Sequence, residues 1–224
     1  ERRVLAKEEA IEKTLKQFKT GSRMLWNAKM RFGKTLAALQ VVKQSGFAKV
    51  LIFCHRPVVE SGWREDFYKI FHEQDKVLYG SKKIGVEVEQ LLDSGEKFVY
   101  FASTQDLRGS SIVGGRYVKN QTIFSTIWDL VIIDEAHEGT TTQLGEEVVK
   151  NVIKDFESKH TKFLALSGTP FNILNRYDDN IYTWDYVMEQ QRKAQWDALH
   201  FGDSNPYDEL PELKIRVVNV VDLM

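Results

Sequence analysis

Between residues 26 and 39 the chain reads "WNAKMRFGKTLAAL": an apolar run, then a glycine, a lysine and a threonine, then a helix-like run. The segment "AKMRFGKT", residues 28 to 35, fits the pattern of a phosphate-cradling loop once its first glycine is allowed to be alanine. A loop between a strand and a helix N-terminus aims unpaired N–H groups and the positive end of the helix dipole at one point, where phosphate oxygens replace water. Gly33 lets the backbone approach closely, Lys34 reaches the β- and γ-phosphates, and Thr35 offers a hydroxyl to Mg²⁺; Lys29, Met30, Arg31 and Phe32 make up the rest of the cradle. The bland alternative is a strand-to-helix turn with an exposed lysine.

A second cluster, "LVIIDEAH", places Asp134 100 residues after Lys34. Two adjacent carboxylates at the C-terminal end of a buried strand lie on the edge where open α/β sheets bind ligands. There Asp134 is placed to hold Mg²⁺, often through water, and Glu135 to polarise the water that attacks the terminal phosphate. His137 has no HExxH spacing around it, so zinc is not indicated.

The elements that must position these residues are legible as a pattern. Residues 7–19 place Ala10, Ile11, Leu15 and Phe18 at helical spacing, "RMLWNA" reads as a strand, and "GKTLAALQVVKQSG" as a helix stopped by Gly46. "KVLIFC" is a continuous apolar run suited to a strand buried on both faces, and "VVESGWREDFYKIF" returns to a helical period. "KVLYG", "VEVEQLLDSG" and "KFVYFAST" give strand, helix and strand; "DLVIIDEAH", "TTTQLGEEVVKNVIKDF" and "KFLALSGTP" repeat the order. This alternation predicts an α/β fold with a mostly parallel sheet covered by helices.

Bulk properties narrow the class. At 224 residues, with 42% hydrophobic and 28% charged content, the chain supports one large domain with an extension. The single cysteine, Cys54, cannot form an internal disulfide, and no apolar run approaches the length of a membrane helix, so a cytoplasmic setting is expected. Net charge is −1, yet residues 1–34 carry ten Lys/Arg against four Asp/Glu, an excess that suits phosphates or a solvated amphipathic helix. From Asn175 to Met224 the balance reverses to ten acidic against five basic residues, with a helix expected at 185–199 and a strand at "KIRVVNVV". The ending on Met224, without a turn signal, reads as part of something longer.

"DEAH", taken with "AKMRFGKT" upstream and "LSGTP" at 166–170, resembles motifs II, I and III of the superfamily 2 helicases and translocases. The resemblance implies a three-layer RecA-like P-loop NTPase fold, with a helix at 1–20, an ATP-binding lobe at 21–175 and a mixed extension at 176–224 that connects to a second lobe. "VLIFCHRPVVESGWREDFYKIF" is similar to motif Ia and its following helix in duplex-DNA translocases, and "FASTQDL" to the Thr-Gln segment of restriction-enzyme motor subunits. "DEAHEGTTT", "SGTPF" and the tail look like the motor lobe of type III and related restriction subunits, although "SGTP" also occurs in Swi/Snf-type remodelling ATPases.

By that likeness ATP and Mg²⁺ are the ligands, Lys34 and Glu135 are catalytic, and Thr35 and Asp134 hold the metal. His137, Ser167, Gly168 and Thr169 couple nucleotide state to DNA. His55, Arg56, Ser103, Thr104 and Gln105 line the DNA backbone, where hydroxyl, amide and guanidinium groups position DNA without reading it. The same likeness expects a second RecA-like lobe that supplies an arginine, methyltransferase or nuclease domains or subunits as partners, and weak hydrolysis by this lobe alone. In the family a glutamine ahead of "EAI" reads the adenine edge; Lys7 stands near that place here, and no glutamine precedes Gln17.

Other classes compete with a DNA motor. An RNA helicase lobe and a non-motor ATP switch share the same motifs. A metal-dependent nuclease could be assembled from Asp197, Glu212 and Lys214, but so short a pattern arises often by chance. Trp184, Tyr186 and Trp196 have faces that could stack on bases, although their spacing suits packing onto the lobe, and Trp63 reads as core.

Overall fold

The computed structural model describes residues 3–107, 120–135, 160–169 and 180–200, together with Leu174, Tyr177, Gly202, Ser204 and Asn205. Its contacts divide the chain into two compact units, Glu1–Asp185 and Tyr186–Met224.

The first unit is built on a seven-stranded sheet in which every pairing is parallel. The strands are β1 (Arg23–Ala28), β2 (Lys49–Cys54), β3 (Val77–Ser81), β4 (Lys97–Ser103), β5 (Leu130–Asp134), β6 (Lys162–Ser167) and β7 (Ile181–Trp184), in spatial order β3-β4-β2-β5-β6-β1-β7. Parallel neighbours need crossovers, and α2 (Lys34–Ser45), α3 (Glu60–Ile70) and α4 (Val88–Ser94) supply those between β1 and β4; α1 (Arg3–Thr20) precedes β1, and short turns α5 (Thr104–Leu107) and α6 (Gln121–Ser125) follow β4. Val50 to Cys54 and Leu130 to Ile133 are buried without alternation, as central strands covered on both faces require.

Six strands fall where the apolar runs predict them; β7 is an addition from within the expected extension. Its alternating burial, with Tyr182 and Trp184 inward, suits an edge position beside β1. The expected helix after "DEAH" and the strand "KIRVVNVV" lie outside the described residues.

Helix α1 buries Ala6, Ala10, Ile11 and Phe18, and Thr14 in place of the expected Leu15. The Thr14 hydroxyl donates to the Ala10 carbonyl at 2.7 Å and accepts the Trp26 indole N–H at 2.8 Å, so a polar residue on an apolar face is fully used. In the second unit α7 (Tyr186–Leu199) confirms a helix at the predicted place. Within it Trp196 stacks on His200, and Asp197 accepts the Asn205 amide at 2.7 Å. No helix among the described residues is long and apolar enough to cross a membrane.

Candidate functional site

Parallel register puts the C-terminal ends of all these strands on one edge. Cys54 is paired with Ser103 on one side and Asp134 on the other, Asp134 is paired with Leu166, and Asn27 with Ser167. The phosphate-loop pattern, the carboxylate pair and the "SGT" turn therefore meet, with β6 carrying the third between the other two.

The loop after β1 is shaped by two left-handed residues, Arg31 (φ 66°) and Gly33 (φ 85°). The Phe32 amide donates to the Lys29 carbonyl at 3.3 Å, and α2 starts at Lys34 with no side-chain cap from its N-cap Gly33. An uncapped helix start of this kind presents its first amides to an anion. Met30, 83% exposed, and Arg31 point to solvent, whereas Phe32 is buried against Trp26, Tyr182 and Trp184 with ring centroids 6.1–6.4 Å apart. Phe32 thus serves the loop as an anchor, and only its backbone is available to a ligand. Strand β7 completes the anchor, because the Lys29 amide donates to the Trp184 carbonyl at 3.1 Å.

Lys34, part-buried, donates from its amine to the Ala28 carbonyl at 2.8 Å. Burial pulls its pKa below the ordinary lysine value, and the charges of Glu135 and Asp134 oppose that pull. A Cβ built on Gly168 would lie 3.9 Å from the same amine and 3.7 Å from the Ala28 oxygen, so the "SGT" turn sits directly on the lysine. Ser167 is fully buried with its hydroxyl accepting the Thr169 amide at 3.2 Å, and Thr169 is exposed. Thr35 lies in the first turn of α2, half-buried.

Asp134 ends β5. Its Oδ2 accepts the Trp63 indole N–H at 2.9 Å and its Oδ1 accepts the Glu135 amide at 3.0 Å. Burial pushes its pKa up, the Trp63 hydrogen bond opposes this, and the Glu135 charge adds to the rise. Glu135 itself is left-handed (φ 51°), a conformation a non-glycine residue adopts at a cost of order 1 kcal/mol and one concentrated at functional sites. His137 lies outside the described residues.

Two residues outside the expected nucleotide-binding set also join the site. Lys7, on α1, reaches over the loop: a Cβ on Gly33 would stand 3.1 Å from its Cε and 3.3 Å from its amine. Trp63 is core, as expected, but its ring nitrogen is spent on the acidic strand end. A buried tryptophan must find one acceptor, and that rule was the available signal.

Of the residues expected along DNA, Arg56 and Gln105 are exposed and His55 is half-buried. Ser103 is fully buried; its hydroxyl donates to Asp106 at 2.6 Å and accepts the Asp106 amide at 3.2 Å, which caps α5. Thr104 is 2% exposed, and its buried hydroxyl has no hydrogen-bond partner among the described residues, nor has Nδ1 of His55.

A lobe with a phosphate loop after β1, a carboxylate pair two strands away and an "SGT" turn on the strand between them has the architecture of a RecA-like ATPase of superfamily 2. The sequence profile of the family described as type III restriction enzyme, res subunit, matches residues 5–172, and the chain belongs to that family. A Mycoplasma pneumoniae protein with the provisional description of the C-terminus of a type II restriction enzyme and methyltransferase is 26% identical over 257 aligned positions, covering 96% of this chain and 35% of that protein.

Two solved structures share the fold. One is a nuclease-deletion mutant of the type ISP restriction-modification enzyme LlaGI with a DNA substrate mimic, at TM-score 0.55 and 14% identity, covering 86% of this chain and 22% of that one. The other is the Sulfolobus solfataricus SWI2/SNF2 ATPase core with dsDNA, at TM-score 0.52 and 18% identity, covering 75% and 32%. The chain spans about a third or less of the length of these relatives.

Proposed function

We propose that this lobe binds ATP with Mg²⁺ and, with a second RecA-like lobe, drives movement along duplex DNA for a restriction-modification enzyme. The observation that carries the reading is the convergence of Lys34, Gly168 and the Asp134–Glu135 pair on three neighbouring strand ends. The donor set fits a magnesium nucleotide: an uncapped helix start, an amine whose one hydrogen-bond partner among the described residues is a carbonyl, a hydroxyl at Thr35, and a carboxylate whose oxygens each retain accepting capacity.

In this reading the loop amides from Lys29 to Thr35 hold the phosphates. The Lys34 amine leaves the Ala28 carbonyl for phosphate oxygens, and Thr35 and Asp134 hold the cation. Magnesium bound there neutralises charge developing on the phosphates. Glu135 accepts a proton from the attacking water, and Ser167, Gly168 and Thr169, with His137, relay nucleotide state toward Arg56, Gln105 and the surrounding DNA path. Duplex DNA is favoured because the SWI2/SNF2 fold relative was solved with dsDNA, and the LlaGI relative with a DNA substrate mimic.

The test is ATP hydrolysis by the full-length parent without nucleic acid and with duplex DNA, single-stranded DNA or RNA, beside a Lys34→Ala control. Stimulation by duplex DNA that is lost in the control supports the reading. Stimulation by RNA alone assigns an RNA helicase instead, and no stimulation at all assigns an ATP switch. The lobe alone lacks an arginine from a second lobe, so it should bind nucleotide and hydrolyse it slowly. Steady DNA-stimulated turnover by these 224 residues, abolished by Glu135→Gln, would refute that half-site reading.

A further inference from the structure

Trp26, Trp63 and Trp128 are each at most 2% exposed, and each donates its ring N–H to an acceptor. Trp26 donates to the Thr14 hydroxyl and Trp128 to the Ile123 carbonyl at 2.9 Å, contacts that tie helices to the core. Trp63, 2% exposed, donates to a carboxylate instead, Oδ2 of Asp134. An apolar side chain would fill the same space without that bond. A core needing volume alone has no use for an indole aimed at an acidic strand end.

The carboxylate is held from both sides. With Oδ1 on the Glu135 amide and Oδ2 on Trp63, rotation about its last bond breaks two hydrogen bonds at once. Trp63 cannot follow such a rotation, because α3 is pinned one turn further on: Phe67 stacks on Phe71 at 4.8 Å and lies 5.2 Å from Tyr79 of β3. Partners that orient a ligating group commonly change metal affinity tenfold or more when removed.

We propose that Trp63 is a positioning residue for the divalent cation: its indole N–H fixes the rotation of the Asp134 carboxylate and so sets how strongly the nucleotide site holds that cation. The inference rests on the reading of the site as a magnesium nucleotide site, and it gives α3, the helix after the motif Ia-like strand, a part in holding the cation.

The test uses the 224-residue chain and a fluorescent ADP, titrated in EDTA and then with rising Mg²⁺. Trp63→Phe removes the N–H, and 3-benzothienylalanine at position 63 removes it while keeping the ring's shape, which guards against a folding defect. Both should raise the Mg²⁺ concentration for half-maximal tightening by roughly tenfold and leave the metal-free affinity for ADP unchanged. Phe98→Leu, a packing change against Trp128 at the far end of β4, should lower Tm without moving the Mg²⁺ midpoint. An unchanged midpoint in the benzothienyl chain, or a parallel fall in metal-free affinity, overturns the role of Trp63. A wild-type chain that binds no ADP, or binds it without regard to Mg²⁺, overturns the nucleotide-site reading itself, and the two failures are thereby told apart.

Discussion

Lys34 donates to the carbonyl of Ala28 across 2.8 Å, closing the loop between the last residue of β1 and the first of α2. The loop is therefore pre-formed around the amine, and a phosphate has to compete with one neutral carbonyl. Lys34→Ala should weaken ADP binding by roughly 10- to 100-fold, the worth of about one charge-assisted hydrogen bond, as read by titration calorimetry. An affinity unchanged within a factor of two would remove the lysine from the site.

Asp134 is held at a cost, since burial raises its carboxyl pKa above the ordinary 3.8. A raised native value means that the folded chain holds this proton more tightly than the unfolded one. The resulting stability is fully present below 3.8 and is lost as pH rises through the native value. Asp134→Asn, which leaves one of the two N–H donors facing an amide NH2, should consequently compare best with the wild-type chain in Tm at neutral pH in the absence of nucleotide and worse in acid, and the Mg²⁺ dependence of ADP binding should disappear. Thermal melts across pH with both proteins check the sign.

Phe32 sits in the loop yet packs on Trp26, Tyr182 and Trp184. Phe32→Ala should cost about 3 kcal/mol, lowering Tm by roughly 10 °C, because it opens a cavity between β1 and β7. Phe32→Leu should recover most of that stability together with ADP affinity, since the ligand needs only the backbone here. Loss of affinity in the leucine variant at full stability would show that the ring touches the ligand.

Lys7 places a second cation beside Gly33. Lys7→Ala should weaken ADP binding several-fold at low salt and less at high salt, as expected for a partly screened charge contact. Lys7→Arg should retain most of the affinity. An effect indifferent to ionic strength would assign the residue to packing of α1 instead.

Much of the lobe is legible in the sequence because its information is local. Strands buried on both faces need unbroken apolar runs, so "KVLIFC" and "LVIID" announce themselves. A phosphate loop needs small and cationic residues in fixed order, so "GKT" does too. Strand β7 is less visible: "IYTW" is four residues long, and its identity comes from pairing with β1, more than 150 residues earlier in the chain.

Two pairs mark the boundary between sequence and tertiary structure. Asp129 and Asp134 flank the same strand, and the sequence places a carboxylate at each end. Only the fold assigns them different work. Asp129 accepts the amides of Ala48 and Lys49 at 2.8 and 2.9 Å and also meets His160, which makes it a structural clasp at the N-terminal edge. Asp134 stands at the edge where loop, lysine and carboxylates converge. Likewise Ser103 and Arg56 both belong by pattern to the DNA path, but Ser103 turns inward to cap α5 while Arg56 stays exposed. Residue type and order along the chain determined the strands, the phosphate loop and the acidic pair. Which lone pairs and surfaces remain free for a ligand was decided by contacts between residues distant in sequence, such as Trp63 with Asp134 and Lys7 with Gly33, because a hydrogen-bonding group has few partners to give and the fold chooses where they go.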